Sequence, residues 1–440
     1  MANNQGIAPF SDATALLGRL RAGELTAEAL TRFYLARIAA HAELNAVAEL
    51  APDALAQARA LDAGGDRRPP LFGLPLLVKD NIDVKGLHTT AGSLALADRV
   101  ADRDAPVVAN LRRNGAVILG KTNMTEFANY VTQDMPNGFS SRGGQVRCAY
   151  DASADPGGSS SGSGVAVSAG LCAAAVGTDT SFSVIACAAM NGVTGIKPPH
   201  GALSQAGILP ISHTLDSAGA LARSMRDALL IDGGMRDELP PPVHPINPRA
   251  LRLAVNAFHR EQVAPTQLAR YERMLSALRE LGGRVDEVCH GYPPELKIIM
   301  RCEFRHDLEA FLGGRPTLAE IVAFYRADAS RMPYGISCLT DALASSPTDA
   351  DYAAALRERE RVRDAMIASL EPFDACLMTG PTCAMHFAGL PSVAIRLGMG
   401  EDGLPRGAIL YGMDERRLHA AALTLETLCQ PVLPPDMKEG

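Results

Sequence analysis

The distribution of apolar positions sorts the chain into amphipathic helices and short, fully apolar strands. Within the first 65 residues the apolar positions recur at helical spacing. Thr26 is placed to cap a helix over Ala27–Ala40, on which Leu30, Phe33, Leu35 and Ile38 share a face, and Gly23 separates it from the helix before. A Pro-bounded run from Pro69 to Asp80 follows. Its apolar stretch ends in Lys79 and Asp80, which predicts a buried strand that delivers charged groups at its end. Ala105 to Arg113 reads as a helix, Ala116 to Leu119 as a strand closing at Gly120, and Val165 to Val176 as one buried helix. Leu251 to Ala257 reads as a strand. Leu268, Tyr271, Met274, Leu275, Leu278 and Leu281 then form a helical stripe stopped by Gly282-Gly283. Asp374 to Thr379 and Ser392 to Leu397 are further buried strands, and Asp414 is placed to cap a last helix reaching Leu428. Residues 290–370 are charged and mostly helical, the pattern of an insertion or cap carried by a sheet, and the Pro-rich 240–248 reads as a linker. This strand–helix alternation predicts an α/β fold.

Composition narrows the function. The 440 residues are 47% hydrophobic and 21% charged, which suits a folded chain, and 42 basic against 49 acidic residues leave a net charge of −7. That balance, with no basic run, argues against nucleic acid and against a membrane surface as partners. No stretch reaches the roughly 18–20 apolar residues of a membrane span, and the N-terminus shows no signal-peptide pattern. Nine scattered Cys without a CxxC, and ten His without an HExxH, point to reduced, mostly buried thiols in a cytoplasmic protein and to no metal site.

The chemistry concentrates in Gly157 to Gly164, a block of Gly and Ser alone. As a linker it is misplaced, because it runs straight into an apolar segment. As a phosphate loop it lacks the required Lys, and as a dinucleotide fingerprint it has Val167 where the third Gly belongs. Gly158-Ser159-Ser160-Ser161-Gly162 formally matches the GxSxG elbow with Ser160 as nucleophile, but that elbow needs a strand entering the turn, and Tyr150 to Pro156 is loop-like. A second serine-bearing loop, Gly177 to Ser183, lies beyond the apolar run. A Lys at the end of a buried strand beside two such loops can act as a base once its pKa is depressed from about 10.4.

In that order the motifs resemble the amidase signature family. Gly73-Leu74-Pro75 through Val78-Lys79-Asp80-Asn81 is similar to its lysine strand, and Gly120-Lys121-Thr122-Asn123-Met124-Thr125-Glu126-Phe127-Ala128 to its K-x-N-M-x-E-F run. Pro156 to Ser163 is similar to its glycine–serine core, and Gly177-Thr178-Asp179-Thr180 to the lead into its nucleophile loop. Gly195-Ile196-Lys197-Pro198, Leu215 to Gly219 and Ala388-Gly389-Leu390-Pro391-Ser392 complete the series. The resemblance implies one large α/β domain over 1–440 with a mixed, largely parallel central sheet flanked by helices. Within it, residues 1–65 would form an N-terminal helical region, 66–240 the signature core, 241–370 a helical insertion or cap, and 371–440 the C-terminal portion of the core. It implies amide hydrolysis through an acyl-enzyme without cofactor or metal. Ser183 would be the nucleophile, Ser159 (in a cis peptide in the family) the bridge, and Lys79 the base. The Thr180, Ser181, Phe182 and Ser183 N–H groups would face the oxyanion, with Gly158 and Ser160 beside the substrate. Asp179, Asp216 and Lys197 would fix loops.

The sequence departs from the family at that loop. Ser181 and Phe182 stand where two glycines are usual, which suggests that Phe182 narrows the pocket or forms an apolar wall for the acyl group. Val184-Ile185-Ala186-Cys187 replaces the Arg and Pro that usually follow the nucleophile, so a small, uncharged amide is the expected substrate. The connection from Thr379 to Leu390 is short, which suggests an open pocket. The alternatives are the A-type component of a tRNA-dependent amidotransferase and a non-hydrolytic member of the fold. A homodimer is common in such families.

Overall fold

The computed structural model describes residues 6–348 and 350–437. Eleven strands form one mixed sheet. In spatial order they are Val47–Leu50, Val117–Thr122, Pro75–Lys79, Ala174–Asp179, Ser217–Ala222, Thr194–Lys197, Ser392–Met399, Pro405–Tyr411, Ala375–Met378, Arg252–Asn256 and Arg284–Val288. Two groups of three neighbours are parallel, Val117–Thr122 with Pro75–Lys79 and Ala174–Asp179, and Ala375–Met378 with Arg252–Asn256 and Arg284–Val288. The strands between them pair antiparallel. The first group is buried along its whole length, which explains its unbroken runs of Val, Leu and Ala: helices cover both faces, so no position has to be polar.

Several expected elements are present where the pattern places them. The Thr26 side chain caps Ala27–Ala40 by accepting the Ala29 N–H at 3.1 Å, and Asp414 caps Glu415–Glu426 through the Arg417 N–H at 2.8 Å. The leucine stripe lies on Pro265–Glu280, and the strand expected to close at Gly120 runs on to Thr122. The single helix expected over Val165 to Val176 is a correction. The helix is Ser161–Ser168, and Ala174 to Val176 already belong to the strand Ala174–Asp179. Gly170 makes the turn at φ 65°, where a Cβ would lie 2.7 Å from the Pro9 carbonyl oxygen. Helix and strand here are equally apolar and equally buried, so periodicity could not divide them. Other strands carried no readable signal. Ser217–Ala222 is made of small residues, Pro405–Tyr411 starts with Pro, and Arg284–Val288 is an edge strand with mostly exposed side chains.

Within 241–370, Arg252–Asn256 and Arg284–Val288 belong to the sheet. The helices above it begin at Glu295–Phe311 and continue with Leu318–Arg326, Ser337–Leu343 and Ala350–Leu370. This roof has its own core, in which Phe304, Leu308, Leu318, Ile321 and Leu339 pack with Phe127, Tyr130 and Val131 of the segment after Val117–Thr122. Burying those five roof side chains is worth on the order of 10 kcal/mol. A buried polar contact fastens the same joint: the Tyr325 hydroxyl donates to the Glu126 carboxylate, which also accepts the Ser141 N–H at 2.6 Å. Burial lifts Glu126 to about 7. No helix among the described residues is long and apolar enough to cross a membrane.

Candidate active site

Three lysines are fully buried, and their partners set them apart. Lys121 Nζ donates to the Ile82 and His88 carbonyls at 2.6 and 2.9 Å, and Lys197 Nζ to the Leu390 and Pro198 carbonyls at 3.0 and 3.3 Å. Both hold main-chain turns together. Lys79, the last residue of Pro75–Lys79, meets hydroxyls instead. Its Nζ donates to Ser159 Oγ at 2.8 Å, Thr178 Oγ1 at 2.9 Å and Ser160 Oγ at 3.0 Å, with the Thr178 carbonyl at 3.3 Å. No carboxylate lies within ion-pairing distance of Lys79 among the described residues. Burial therefore dominates and drives its pKa from 10.5 down to about 7, against the pull of Asp179 and Asp216. Lys121 and Lys197 are held less far down, at about 8.

Parallel pairing carries these groups to one place. Pro75–Lys79 and Ala174–Asp179 run side by side, so Lys79 and Thr178 emerge at the same end of the sheet. The Gly/Ser block arrives as a loop ahead of Ser161–Ser168. The Gly158–Ser159 peptide is cis. A Cβ on Gly158 would lie 2.2 Å from Asn137 Oδ1 and 2.9 Å from Thr125 Oγ1, so that position has no room for a side chain. Ser159 and Ser160 are both fully buried. Ser160 sits behind Lys79, with Oγ donating to the Thr178 carbonyl at 3.1 Å, and does not border the cleft.

The cleft itself holds about 440 Å³. Gly158, Thr180, Ser181 and Ser183 form its floor, and Leu296, Lys297, Ile298, Met300 and Arg301 of the roof helix form one wall. Hollows of about 560 and 690 Å³ elsewhere touch neither Ser159 nor Ser183. The Ser183 hydroxyl has no hydrogen-bond partner among the described residues. The link between the two serine loops is the Ser160 N–H donating to the Ser183 carbonyl at 3.2 Å. Thus the Lys79–Ser159 contact is formed here, and a Ser159–Ser183 hydroxyl contact is not.

The nucleophile loop is anchored by carboxylates. Asp179 Oδ2 accepts the Val184 and Ile185 N–H groups at 2.7 and 3.3 Å. Burial opposes its ionisation, yet His386, the Val184 N–H and Lys197 outweigh it and hold the carboxyl at about 2. Asp216 accepts from Thr180 Oγ1 at 2.6 Å and from the Ile211 and Ser212 N–H groups at 2.8 and 3.0 Å, while burial raises it to about 7. The Ser212–Thr214 turn is in turn held by Glu303 of the roof helix, which accepts from the Ser212 and Thr214 hydroxyls and from Tyr352 at 2.7 Å.

Phe182 is placed differently from the expectation. It sits at φ 73° and is not part of the cleft lining; its ring lies against His386, with ring centroids 4.6 Å apart, and packs on the cluster that holds Leu215, Leu296 and Phe387. It forms no acyl wall. Its N–H donates to His386 Nε2 at 3.1 Å, and that nitrogen also stands 3.1 Å from Asp179 Oδ1. The Ser181 and Ser183 N–H groups have no acceptor among the described residues. His386 carried no signal in the sequence beyond its place in the short 379–390 connection, and Thr178 was read only as one residue of a motif.

Comparison with known proteins shows the family and the fold. The chain matches the Amidase family profile across residues 29–386. It is 45% identical to a probable amidase of Arabidopsis thaliana over 212 residues, 47% of this chain and 41% of that protein, and so spans less than half the length of that curated relative. It is 32% identical to the A component of the glutamyl-tRNA(Gln) amidotransferase of Acidothermus cellulolyticus, over 94% of this chain and 93% of that one. In three dimensions it resembles the peptide amidase of Stenotrophomonas maltophilia with a TM-score of 0.89 at 33% identity, covering 98% of this chain and 99% of that one. With a buried lysine–serine pair beneath a cleft and a family match over most of its length, this chain belongs to the amidase family.

Proposed function

We propose that the protein is an amidohydrolase that cleaves a carboxamide through an acyl-enzyme on Ser183, with Ser159 and Lys79 as the proton relay. The observation that carries the reading is the Lys79–Ser159 contact of 2.8 Å at a lysine brought to about 7 by burial. A lysine in that range supplies a neutral amine near neutral pH, and its lone pair can accept the Ser159 proton. As substrate enters, Ser183 Oγ turns to Ser159, passes its proton along the relay and attacks the amide carbon. The new oxyanion faces the Ser181 and Ser183 N–H groups, which have no competing acceptor among the described residues. The relay returns the proton to the leaving nitrogen as the C–N bond breaks, releasing ammonia or an amine. Water then cleaves the ester by the same route in reverse.

The test is labelling with an activated fluorophosphonate, followed by peptide mass spectrometry. The adduct is expected on Ser183, and it should be lost in Lys79→Ala and strongly reduced in Ser159→Ala. A folded protein that takes no label, or that labels elsewhere, overturns the reading. Near full-length similarity to the A component of an amidotransferase matches a second reading, a transamidation component, which predicts copurification of a second chain. The burial of most of the nine cysteines supports a reducing, cytoplasmic location. A homodimer is the proposed assembly, and light scattering on the purified protein checks it.

A further inference from the structure

The roof helix Glu295–Phe311 turns a charged face to the cleft that holds Ser183. Arg301 lines the cleft together with Lys297, and Asp341 stands across from them on Ser337–Leu343. Three other arginines of the roof are spent on protein contacts. Arg305 reaches Glu309, Arg331 reaches the Phe324 carbonyl at 2.7 Å, and Arg361 binds Glu358. Arg301 makes no ion pair or hydrogen bond among the described residues, and Asp341 does not come within ion-pairing distance of it. Its Nε is nevertheless shut off from solvent without an acceptor. The floor adds no competing charge, because Lys79 lies beneath Ser159 and both are fully buried. The cleft therefore presents two unpaired cations against one carboxylate, with Ser183 and the apolar Leu296, Ile298 and Met300 in the same lining.

We infer that the substrate is an amide that also carries a carboxylate, and that Arg301 is the specificity-determining residue that receives it. The guanidinium fork matches a carboxylate with two parallel N–H···O bonds, whereas a neutral alkyl end offers it no acceptor. Ser183 would then attack the amide carbon while the carboxylate is held at the roof, with the apolar residues of the same cleft against the carbon chain. This inference rests on the amidase reading for the role of Ser183. It replaces the uncharged amide expected from the missing Arg after the nucleophile: the cation is present, but it comes from the roof, more than 100 positions further along the chain.

The probes are the ω-amic acids of three to six carbons (malonamate to adipamate), each beside the neutral alkyl amide of equal length, with 4-aminobutyramide as a cationic control. Binding is measured by calorimetry to Ser183→Ala, which separates this inference from catalysis, and turnover is measured on the wild-type protein. At least one amic acid is expected to bind about 10- to 100-fold more tightly than its alkyl counterpart. That ratio should collapse toward one in Ser183→Ala/Arg301→Gln and be only partly kept by Arg301→Lys, which retains charge without the fork. In the wild-type background, Arg301→Gln should raise KM for the amic acid far more than it lowers kcat. Equal binding across all pairs, preference for the aminobutyramide, or an equal loss for acid and alkyl amide on Arg301→Gln would overturn the inference. Turnover of alkyl amides with no acid preference would sink Arg301 as the reader and leave the amidase standing. Tight, Arg301-dependent binding without turnover would keep the anion site and sink the amidase.

Discussion

Lys79→Met removes the charge at the centre of the site and keeps much of its volume. Lys79 carries an unfolded-state pKa of about 10.5 and a folded one of about 7. Between those limits the unfolded chain holds a proton that the folded chain has given up, so stability rises with pH at up to about 1.4 kcal/mol per unit. Below pH 7 the folded protein carries the full penalty of a buried ammonium, about 5 kcal/mol. Methionine carries none. Its own cost is the lost set of hydrogen bonds. Thr178 and Ser160 keep other partners, and Ser159 Oγ alone is stranded, at about 1–3 kcal/mol. The variant should therefore be inactive yet more stable than the wild type at pH 6, and the gap should close by roughly 3 kcal/mol between pH 7 and 9. Lys121 and Lys197 titrate in both proteins and cancel in the difference. Urea unfolding followed by far-ultraviolet circular dichroism suits a chain without Trp. Parallel stability curves from pH 6 to 9.5 would refute the claim that Lys79 is neutralised by burial.

For the wild type, kcat/KM should fall about tenfold per unit below pH 7 as Lys79 takes up a proton; a flat profile down to pH 5 counts against the lysine base. His386→Ala strands the Phe182 N–H and empties a fully buried ring site, and should cost about 2–4 kcal/mol in urea unfolding. A change below about 0.5 kcal/mol would refute a supporting role for the ring. Gly158→Ala should abolish fluorophosphonate labelling, because its Cβ meets Asn137 Oδ1 at 2.2 Å, and full labelling would show that the loop can shift. Glu126 has a folded pKa of about 7, above its ordinary 4.5, so its charge destabilises the fold increasingly from pH 4.5 to 7 and fully above. Glu126→Gln should match or exceed the wild-type Tm at pH 8, with the gap vanishing near pH 4.5; a lower Tm at pH 8 would contradict the buried-charge account.

Lys79 was legible because an apolar strand ending in a lysine has one sensible fate, a buried ammonium at a sheet end. Ser159 and Ser183 became legible through the order of motifs around them, since serines in polar loops carry no signal of their own. Arg301 and His386 were not legible, because each reaches the site by packing across more than 100 residues of chain, which no local period encodes. Phe182 was misplaced for a related reason: its identity suggested an apolar wall, but a left-handed φ decides where the ring points. The split of Val165 to Val176 failed where helix and strand share one composition and one burial.

Glu303 gives the roof a mechanical connection to the floor. It lies two residues from Arg301 and holds the Ser212–Thr214 turn, whose neighbour Asp216 grips Thr180 beside the nucleophile. For protein engineering this makes the roof a poor cassette. A chimera that exchanges residues 295–343 alone would import a new recognition surface and cut the tether that keeps Thr180 in register. A crossover that moves residues 211–216 together with the roof helix keeps the two halves of that tether from the same parent, so recombination libraries built on this scaffold should retain function when their breakpoints respect that pair.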